Sequence, residues 1–210
     1  MTRQGILIVV SGFSGAGKGT IMRELLRRHE QYALSVSATT RMPRAGEEEG
    51  KDYFFKTREA FEQMIADGEL VEYACYVDNY YGTPRAYVEE MLSSGRDVIL
   101  EIEIQGARKI RKQFPEAVLL FVTTKDAQVL KERLEKRGTE SREVIRQRLG
   151  RAVKESEGIE EYDYLVVNDE LEVCVEEIHA IIESEHRKIR YNMELVNKVR
   201  EELKGFSEGE

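Results

Sequence analysis

The apolar positions along the chain predict an α/β fold. Four runs are almost continuously apolar rather than alternating, which is typical of strands buried on both faces of a parallel sheet. These runs cover residues 6–10, 98–102, 117–122 and 164–167. Helical patterns separate them, and this alternation favours a mostly parallel sheet with helices on both faces.

Helices are indicated between the strands by apolar repeats and by end signals. Thr83 can cap a helix and Pro84 suits its first position. The predicted helices span residues 20–29, 84–95, 126–137 and 171–203. We expect the last of these to pack on the core, with a dimer contact as the alternative, and residues 205–210 to form a frayed tail.

Two stretches interrupt the alternation of strands and helices. Residues 37–85 are rich in Gly, Glu, Tyr and Arg and contain short strand-like pieces, and residues 138–158 are charged and helical. Both are interpreted as insertions into a single core. The predicted division is a core of 1–36, 86–126 and 158–204, an inserted lobe of 37–85 and a helical segment of 127–157.

Composition excludes several classes of protein. At 41% apolar and 34% charged residues, the 210-residue chain is typical of a soluble globular protein. A formal charge of −8 disfavours nucleic acid as a partner. No apolar run approaches the roughly 20 residues needed to span a membrane, and no signal-peptide pattern opens the chain. Its two cysteines, Cys75 and Cys174, are read as reduced thiols, so we expect a cytoplasmic protein.

A glycine-rich turn follows the first predicted strand and leads into a helix. This order predicts a loop whose backbone N–H groups surround phosphate oxygens, with Lys18 reaching the β- and γ-phosphates of a nucleoside triphosphate. The predicted triphosphate-binding residues of the turn are Gly12, Phe13, Ser14, Gly15, Ala16, Gly17, Lys18, Gly19 and Thr20.

The turn departs from the strict phosphate-loop pattern at one position. Ser or Thr is expected directly after the lysine, where its hydroxyl contacts Mg²⁺, but Gly19 stands there and Thr20 follows. Magnesium keeps several waters and phosphate oxygens as ligands, so binding can survive this change. The direct protein ligand of the metal stays open, with Thr20 and Glu101 as candidates.

A GTPase is the less favoured interpretation of the same turn. The chain has no Asp-x-x-Gly after a strand and no Asn-Lys-x-Asp for guanine. A kinase with a separate acceptor pocket explains the insertions better. Within the lobe, Arg41 and Arg44 flank a proline, so two guanidinium groups can converge on one phosphate.

Several spaced motifs resemble the signature of guanylate kinases. They lie at residues 35–53, 71–83, 101–106 and 137–140, and the resemblance runs from about residue 5 to residue 185. It implies the reaction ATP + GMP → ADP + GDP, with Mg²⁺ accompanying ATP, in a monomer or homodimer. It also implies that the lobe binds GMP and that the charged helical segment is a mobile lid.

The resemblance carries site residues over to this chain. The implied GMP-binding residues are Ser37, Arg41, Arg44, Tyr53, Glu72, Tyr81, Thr83 and Glu103. Besides the turn, Arg133 and Asn168 are implied to contact ATP. The implied catalytic residues are Lys18, Arg41, Arg137 and Arg148.

Two other functions are less favoured by the residues present. A non-catalytic interaction module of the same fold would tolerate loss of Lys18 or of the lid arginines, yet these residues are present. A kinase for AMP, UMP or dTMP would leave the Glu72 carboxylate without the paired donors of guanine. In the lid, Arg142, Arg146 and Arg151 are expected to pair only with nearby glutamates on their own helix.

Overall fold

The structure is a computed structural model that describes residues 4–44, 46–76, 78–136 and 141–208. The strands of this part of the chain are β1 (Leu7–Gly12), β2 (Tyr32–Leu34), β3 (Ala38–Thr39), β4 (Phe54–Phe55), β5 (Leu70–Tyr76), β6 (Asn79–Pro84), β7 (Asp97–Glu101), β8 (Val118–Thr123) and β9 (Tyr164–Val167). Its α-helices are α1 (Lys18–Arg28), α2 (Arg58–Ala66), α3 (Arg85–Ser93), α4 (Ile104–Gln113), α5 (Ala127–Lys136), α6 (Arg142–Ser156), α7 (Leu171–Glu185) and α8 (Met193–Glu208).

Five parallel strands form the core sheet, in the order β2-β7-β1-β8-β9. The four strands predicted from apolar runs are β1, β7, β8 and β9, and the predicted α/β class with a parallel sheet is confirmed. The pattern missed β2, because three residues are too few to show a run. The phosphate-loop strand β1 lies in the middle of the sheet, between β7 and β8.

Helices cover both faces of the core sheet. On one face, Ile8 and Val10 of β1 pack in a cluster that includes Ile21 of α1 and Ile178 of α7. On the other face, Val9 belongs to a cluster with residues of α3 and α4. Successive strand residues point to opposite faces, so burial on both sides explains why these strands are continuously apolar.

A second sheet of four short strands lies beside the core, in the order β4-β3-β6-β5. Its strands β5 and β6 are antiparallel neighbours. Under it lies a small core of Ala38, Phe61 and Leu70, with the Phe61 and Tyr80 rings stacked 5.3 Å apart. All four strands fall inside the segment predicted as an inserted lobe.

One helix begins slightly later than the sequence indicated. Thr83 is the penultimate residue of β6, and Pro84, rather than Thr83, is the N-cap of α3. Thr83 is therefore free to face the small sheet instead of capping a helix. No helix among the described residues is long and apolar enough to cross a membrane.

The C-terminal segment is two helices, not one. Between α7 and α8, a short 3₁₀ turn spans Ile189–Asn192. The Asn192 side-chain amide donates to the backbone oxygens of His186 and Lys188, at 2.7 and 2.9 Å, and so closes the bend.

The two C-terminal helices differ in burial. Helix α7 packs on the core through Cys174, Val175, Ile178 and Ile182. Helix α8 leaves its apolar side chains exposed, up to 78% for Phe206. Core packing was therefore wrong for α8, and helical structure continues to Glu208, into the segment expected to be frayed.

Candidate active site

The turn between β1 and α1 has the geometry of a phosphate-binding loop. Strand β1 ends at Gly12 and α1 begins at Lys18. Gly15 and Gly17 have φ angles of 97° and 96°, which residues with a side chain adopt only under strain. Gly17 is also the N-cap of α1, so the unpaired N–H groups of the first helical turn lie next to the loop.

The Lys18 ammonium lies across this loop. Its Nζ donates to the carbonyl oxygens of Gly12, at 2.7 Å, and Phe13, at 3.4 Å. Glu101, at the end of β7, lies close by, and its Oε2 is 3.9 Å from where a Cβ on Gly19 would stand. Burial within the cleft raises the pKa of Glu101 although its side chain keeps some solvent contact, and the charge of Lys18 partly offsets this.

Arg133 and Asn168 both hold the loop itself. The Asn168 side-chain amide donates to the Ala16 carbonyl at 2.7 Å, and Arg133 donates to the same oxygen at 3.2 Å. Arg133 also donates to the Asn168 backbone oxygen at 2.8 Å. Their first observed role is thus to fix the loop backbone, and their contact with ATP stays a prediction.

A second group of predicted residues meets around Arg41 in the small lobe. Its guanidinium carbon lies 5.2 Å from the centroid of the Tyr53 ring, and the Tyr53 and Tyr81 rings are edge-to-face at 6.1 Å. The hydrogen bond from Arg41 to Glu47, at 2.8 Å, is the main cause that raises the pKa of Arg41. The backbone N–H of Arg44 donates to the other oxygen of Glu47, also at 2.8 Å.

Glu47 was missed by sequence reasoning. It is one of three consecutive glutamates, and nothing in that run distinguishes it from Glu48 or Glu49. Only the folded loop shows that Glu47 accepts hydrogen bonds from the Arg41 guanidinium and from the backbone N–H of Arg44. The loop thus fixes the orientation of the Arg41 guanidinium.

A third group lies between β5 and β6, where Glu72 and Thr83 are opposite each other. The Thr83 hydroxyl donates to Glu72 Oε1 at 2.8 Å, and both residues are buried. Burial raises the pKa of Glu72 to about 7, against the opposing effects of the Thr83 hydrogen bond and the charge of Lys109. Ser37 immediately precedes β3, the strand next to β6.

The helix α6 reaches this region through Arg151. Its guanidinium donates to Glu103, the N-cap of α4, at 2.6 Å and to Glu155 on its own helix at 2.8 Å. The expected pairing along the helix is confirmed, but the bond to Glu103 joins two elements and was not expected. Arg148 is half-buried on α6, and Arg137 lies outside the described residues.

These groups influence one another electrostatically. Burial and the charges of Tyr81 and Glu101 raise the pKa of Tyr53, although Glu101 belongs to the core and Tyr53 to the lobe. The charge of Lys18 likewise acts on Glu155 of α6. Direct contacts join these parts as well, since Arg151 of α6 bonds Glu103 at the start of α4 and Glu101 Oε2 lies close to Gly19 of the phosphate loop.

The arrangement defines a class of protein. A phosphate loop at the C-terminal end of a parallel sheet faces a second lobe that combines an arginine with two tyrosines and a buried carboxylate. A P-loop phosphotransferase that transfers a phosphoryl group between two bound substrates needs these parts.

Comparison with known proteins identifies the family within that class. The family model described as guanylate kinase matches residues 4–185. A guanylate kinase of Listeria innocua is 51% identical over 189 residues, which cover 90% of this chain and 92% of that protein. A guanylate kinase of Caldanaerobacter subterraneus is 48% identical over 200 residues, which cover 95% of this chain and 97% of that protein. The chain belongs to the guanylate kinase family, whose reaction is the ATP-dependent phosphorylation of GMP to GDP.

A solved structure supports the same assignment. The crystal structure of guanylate kinase from Anaplasma phagocytophilum matches with a TM-score of 0.72 at 34% identity, covering 88% of each chain. The resemblance inferred from the motifs is confirmed, and the protein is an enzyme of the kinase class.

Proposed function

We propose that this chain transfers the γ-phosphoryl group of ATP to GMP. The observation that carries the proposal is the buried Glu72 carboxylate, held by Thr83 in the lobe opposite the phosphate loop. Guanine presents N1–H and its 2-amino group as adjacent donors, and a carboxylate accepts from both. Adenine lacks this pair of donors and would leave Glu72 buried without them.

The remaining guanine contacts are assigned from the same lobe. Thr83 lies on β6 and Ser37 immediately precedes the neighbouring strand β3, so both can meet the O6 side of the base. Glu103 assists at the 2-amino group from the start of α4, where Arg151 now holds it.

The acceptor phosphate is assigned to the group around Arg41. Arg41 and Arg44 supply cationic donors, and the hydroxyls of Tyr53 and Tyr81 complete the pocket. The second pKa of a phosphate monoester is near 6, so GMP is mostly dianionic at pH 7 and can attack without a general base. Holding the two phosphates in line then lowers the barrier.

Charge on the transferring group is stabilised from the donor side. The amides of the loop and Lys18 hold the triphosphate, so Lys18 must leave the carbonyls of Gly12 and Phe13 for phosphate oxygens. Arg137 and Arg148 are assigned to the same phosphates from the lid. Closure of the lid excludes water as a competing acceptor.

Magnesium is inferred as the companion of ATP. Among the residues that the structure describes, no group of three or more His, Cys, Asp or Glu forms a metal site. The Thr20 hydroxyl and the Glu101 carboxylate, on either side of Gly19, are hard oxygen donors that suit Mg²⁺, and phosphates and water would supply the other ligands. When bound, the ion neutralises charge on the β- and γ-phosphates.

We extend the proposal to the organisation of the chain. Residues 37–85 act as the GMP lobe and residues 127–157 as the lid of a domain spanning 5–185. Free thiols at Cys75 and Cys174 support a cytoplasmic location. We assign nucleotides as the ligands of a monomer or homodimer, and the net charge of −8 disfavours nucleic acid as a partner.

A coupled assay of ADP formation across GMP, AMP, UMP and dTMP tests the function. We expect kcat/KM for GMP to exceed that for AMP by about 10³-fold or more, because AMP leaves the Glu72 carboxylate unpaired. Equal turnover of GMP and AMP would contradict the acceptor assignment. Binding of both nucleotides without turnover would contradict catalysis and indicate an interaction module.

A further inference from the structure

Helix α4 has a glycine in its first turn, directly against the Glu72 carboxylate. A Cβ on Gly106 would stand 2.7 Å from Glu72 Oε2 and 3.3 Å from the Glu72 carboxyl carbon. The first distance is shorter than any ordinary contact between non-bonded carbon and oxygen atoms. An alanine at position 106 could therefore not be accommodated while the Glu72 carboxylate keeps its observed position.

The backbone conformation at position 106 does not require a glycine. Gly106 is not among the glycines with positive φ, and it lies in a regular helix, where glycine costs roughly 0.5–1 kcal/mol relative to alanine. The next neighbour of its missing Cβ is the side chain of Ile102, at 3.2 Å. The tightest contact is thus the functional carboxylate, not the main chain.

We propose that Gly106 is a positioning residue for guanine recognition, because its missing side chain makes the space in which the Glu72 carboxylate lies. The inference rests on the proposed role of Glu72. On its other side the carboxylate accepts from Thr83, so it is held between β6 and the first turn of α4. One turn later on α4, Lys109 hydrogen-bonds the Tyr73 carbonyl and lies 4.2 Å from the Tyr73 ring centroid. Its charge favours the ionised form of Glu72.

The contact predicts where a substitution would act. In Gly106→Ala the atom that meets the new methyl group is the end of a side chain, which can rotate away, rather than backbone. The carboxylate therefore leaves its position while the fold remains. Loss of GMP recognition without loss of stability separates this role from a general packing role.

The test compares Gly106→Ala with Gly205→Ala, a helical glycine in α8 with nothing within 4 Å of its added Cβ. KM and kcat are measured for ATP, GMP and IMP, the last of which lacks the 2-amino group. In Gly106→Ala we expect KM for GMP to rise at least about tenfold, KM for ATP to stay within about twofold, and the preference for GMP over IMP to fall. Gly205→Ala should match the parent protein in every value.

A rescue variant makes the inference specific. Glu72→Asp in the Gly106→Ala background shortens the carboxylate side chain by one methylene, which relieves the contact. We expect the double variant to regain part of the preference for GMP over IMP.

The outcomes separate the inference from the proposed function. If Glu72→Gln loses the preference for GMP while Gly106→Ala keeps it, the positioning role is wrong and the function stands. If Glu72→Gln keeps the preference, the role of Glu72 and the inference that rests on it both fall. A Gly106→Ala protein that is destabilised and weakened equally toward ATP and GMP would show a structural glycine and overturn the inference.

Discussion

The phosphate loop and the GMP lobe present different parts of the chain to their nucleotides. The loop offers backbone N–H groups, arranged by Gly15 and Gly17 and by the start of α1, with one charged side chain, Lys18. The lobe offers side chains from separate elements, among them Glu72 of strand β5 and Arg41 of the loop after β3. One site is therefore encoded in nine consecutive residues, and the other is dispersed over the whole insertion.

The two sites also differ in what holds them before a nucleotide binds. Lys18 is held by the carbonyls of its own loop. In the lobe, Arg41 is held by Glu47 of the same loop, whereas the Glu72 carboxylate of β5 is held by Thr83 of the neighbouring strand β6. The distant side chains of Asn168 and Arg133 fix the backbone of the phosphate loop, whereas in the lobe a neighbouring strand fixes the side chain that is proposed to bind guanine.

The largest expected effect comes from a substitution in the phosphate loop that lowers kcat and leaves GMP binding unchanged. Lys18→Met removes the cation that stabilises the transferring phosphoryl group, so we expect kcat to fall about 10³-fold. Because the GMP lobe makes no use of Lys18, the Kd for GMP measured by calorimetry without ATP should be unchanged. An equal loss of GMP affinity would show that the two sites are not independent.

The next largest effect is on the pH dependence of the KM for GMP, and it involves the lobe and not the phosphate loop. In the proposed site guanine binds to the ionised form of Glu72, and burial raises the pKa of that carboxyl to about 7. Lowering the pH from 8 to 6 should therefore raise the KM for GMP about tenfold, as the carboxylate becomes protonated. The GMP phosphate also titrates near pH 6. Glu72→Gln retains that titration and provides the baseline, so identical profiles for the two proteins would contradict the prediction.

A smaller effect tests whether the lid and the lobe are linked. If the Arg151–Glu103 bond aligns α6 over the GMP site, Arg151→Met and Glu103→Gln should each raise the KM for GMP about threefold, as expected for a partly exposed pair. The double variant should be no worse than either single one. Arg142→Met, at the exposed start of α6, serves as the control. Additive losses would show that the two residues act separately.

The smallest effect concerns a region outside both sites. Helix α8 leaves its apolar side chains exposed and lies beyond the family match, which ends at residue 185. Ending the chain after Asn192 keeps the bend that Asn192 closes, so kcat/KM for both substrates should stay within about twofold. A larger loss would show that α8 contributes to the site or to an assembly that the site needs.

Much of the core could be predicted because its signals are local. Continuous apolar runs identified four of the five core strands, and glycines in fixed order identified the loop. The break between α7 and α8 could not be predicted, because Ile189 continues the helical repeat across it. What ends α7 there is a set of side-chain bonds from Asn192, which a periodic pattern does not contain.

The site residues likewise divide into those that a local sequence pattern predicts and those that depend on contacts in the folded chain. Most of the lobe residues came from resemblance to a family, since no local rule distinguishes Glu72 from a surface glutamate. The role of Glu47 depends on Arg41 and Arg44, which only the folded loop brings to it, and that of Arg151 depends on Glu103 in another element. The rule for helical pairs predicted that Arg151 pairs with a glutamate of its own helix, which Glu155 confirms, but the rule does not consider other elements and so missed Glu103.

The buried position of Glu72 has a consequence for the folded state itself. Its carboxyl ionises less readily in the native chain than in the unfolded chain, where the ordinary value is 4.5. The native state therefore binds that proton more tightly, and the free energy of unfolding falls as the pH rises from about 4.5 to about 7. Above pH 7 the loss approaches about 3 kcal/mol, a sizeable part of the 5–15 kcal/mol typical of a domain. The unliganded enzyme is thus less stable at the pH at which Glu72 is ionised and can accept hydrogen bonds from guanine. Bound GMP restores stability by mass action.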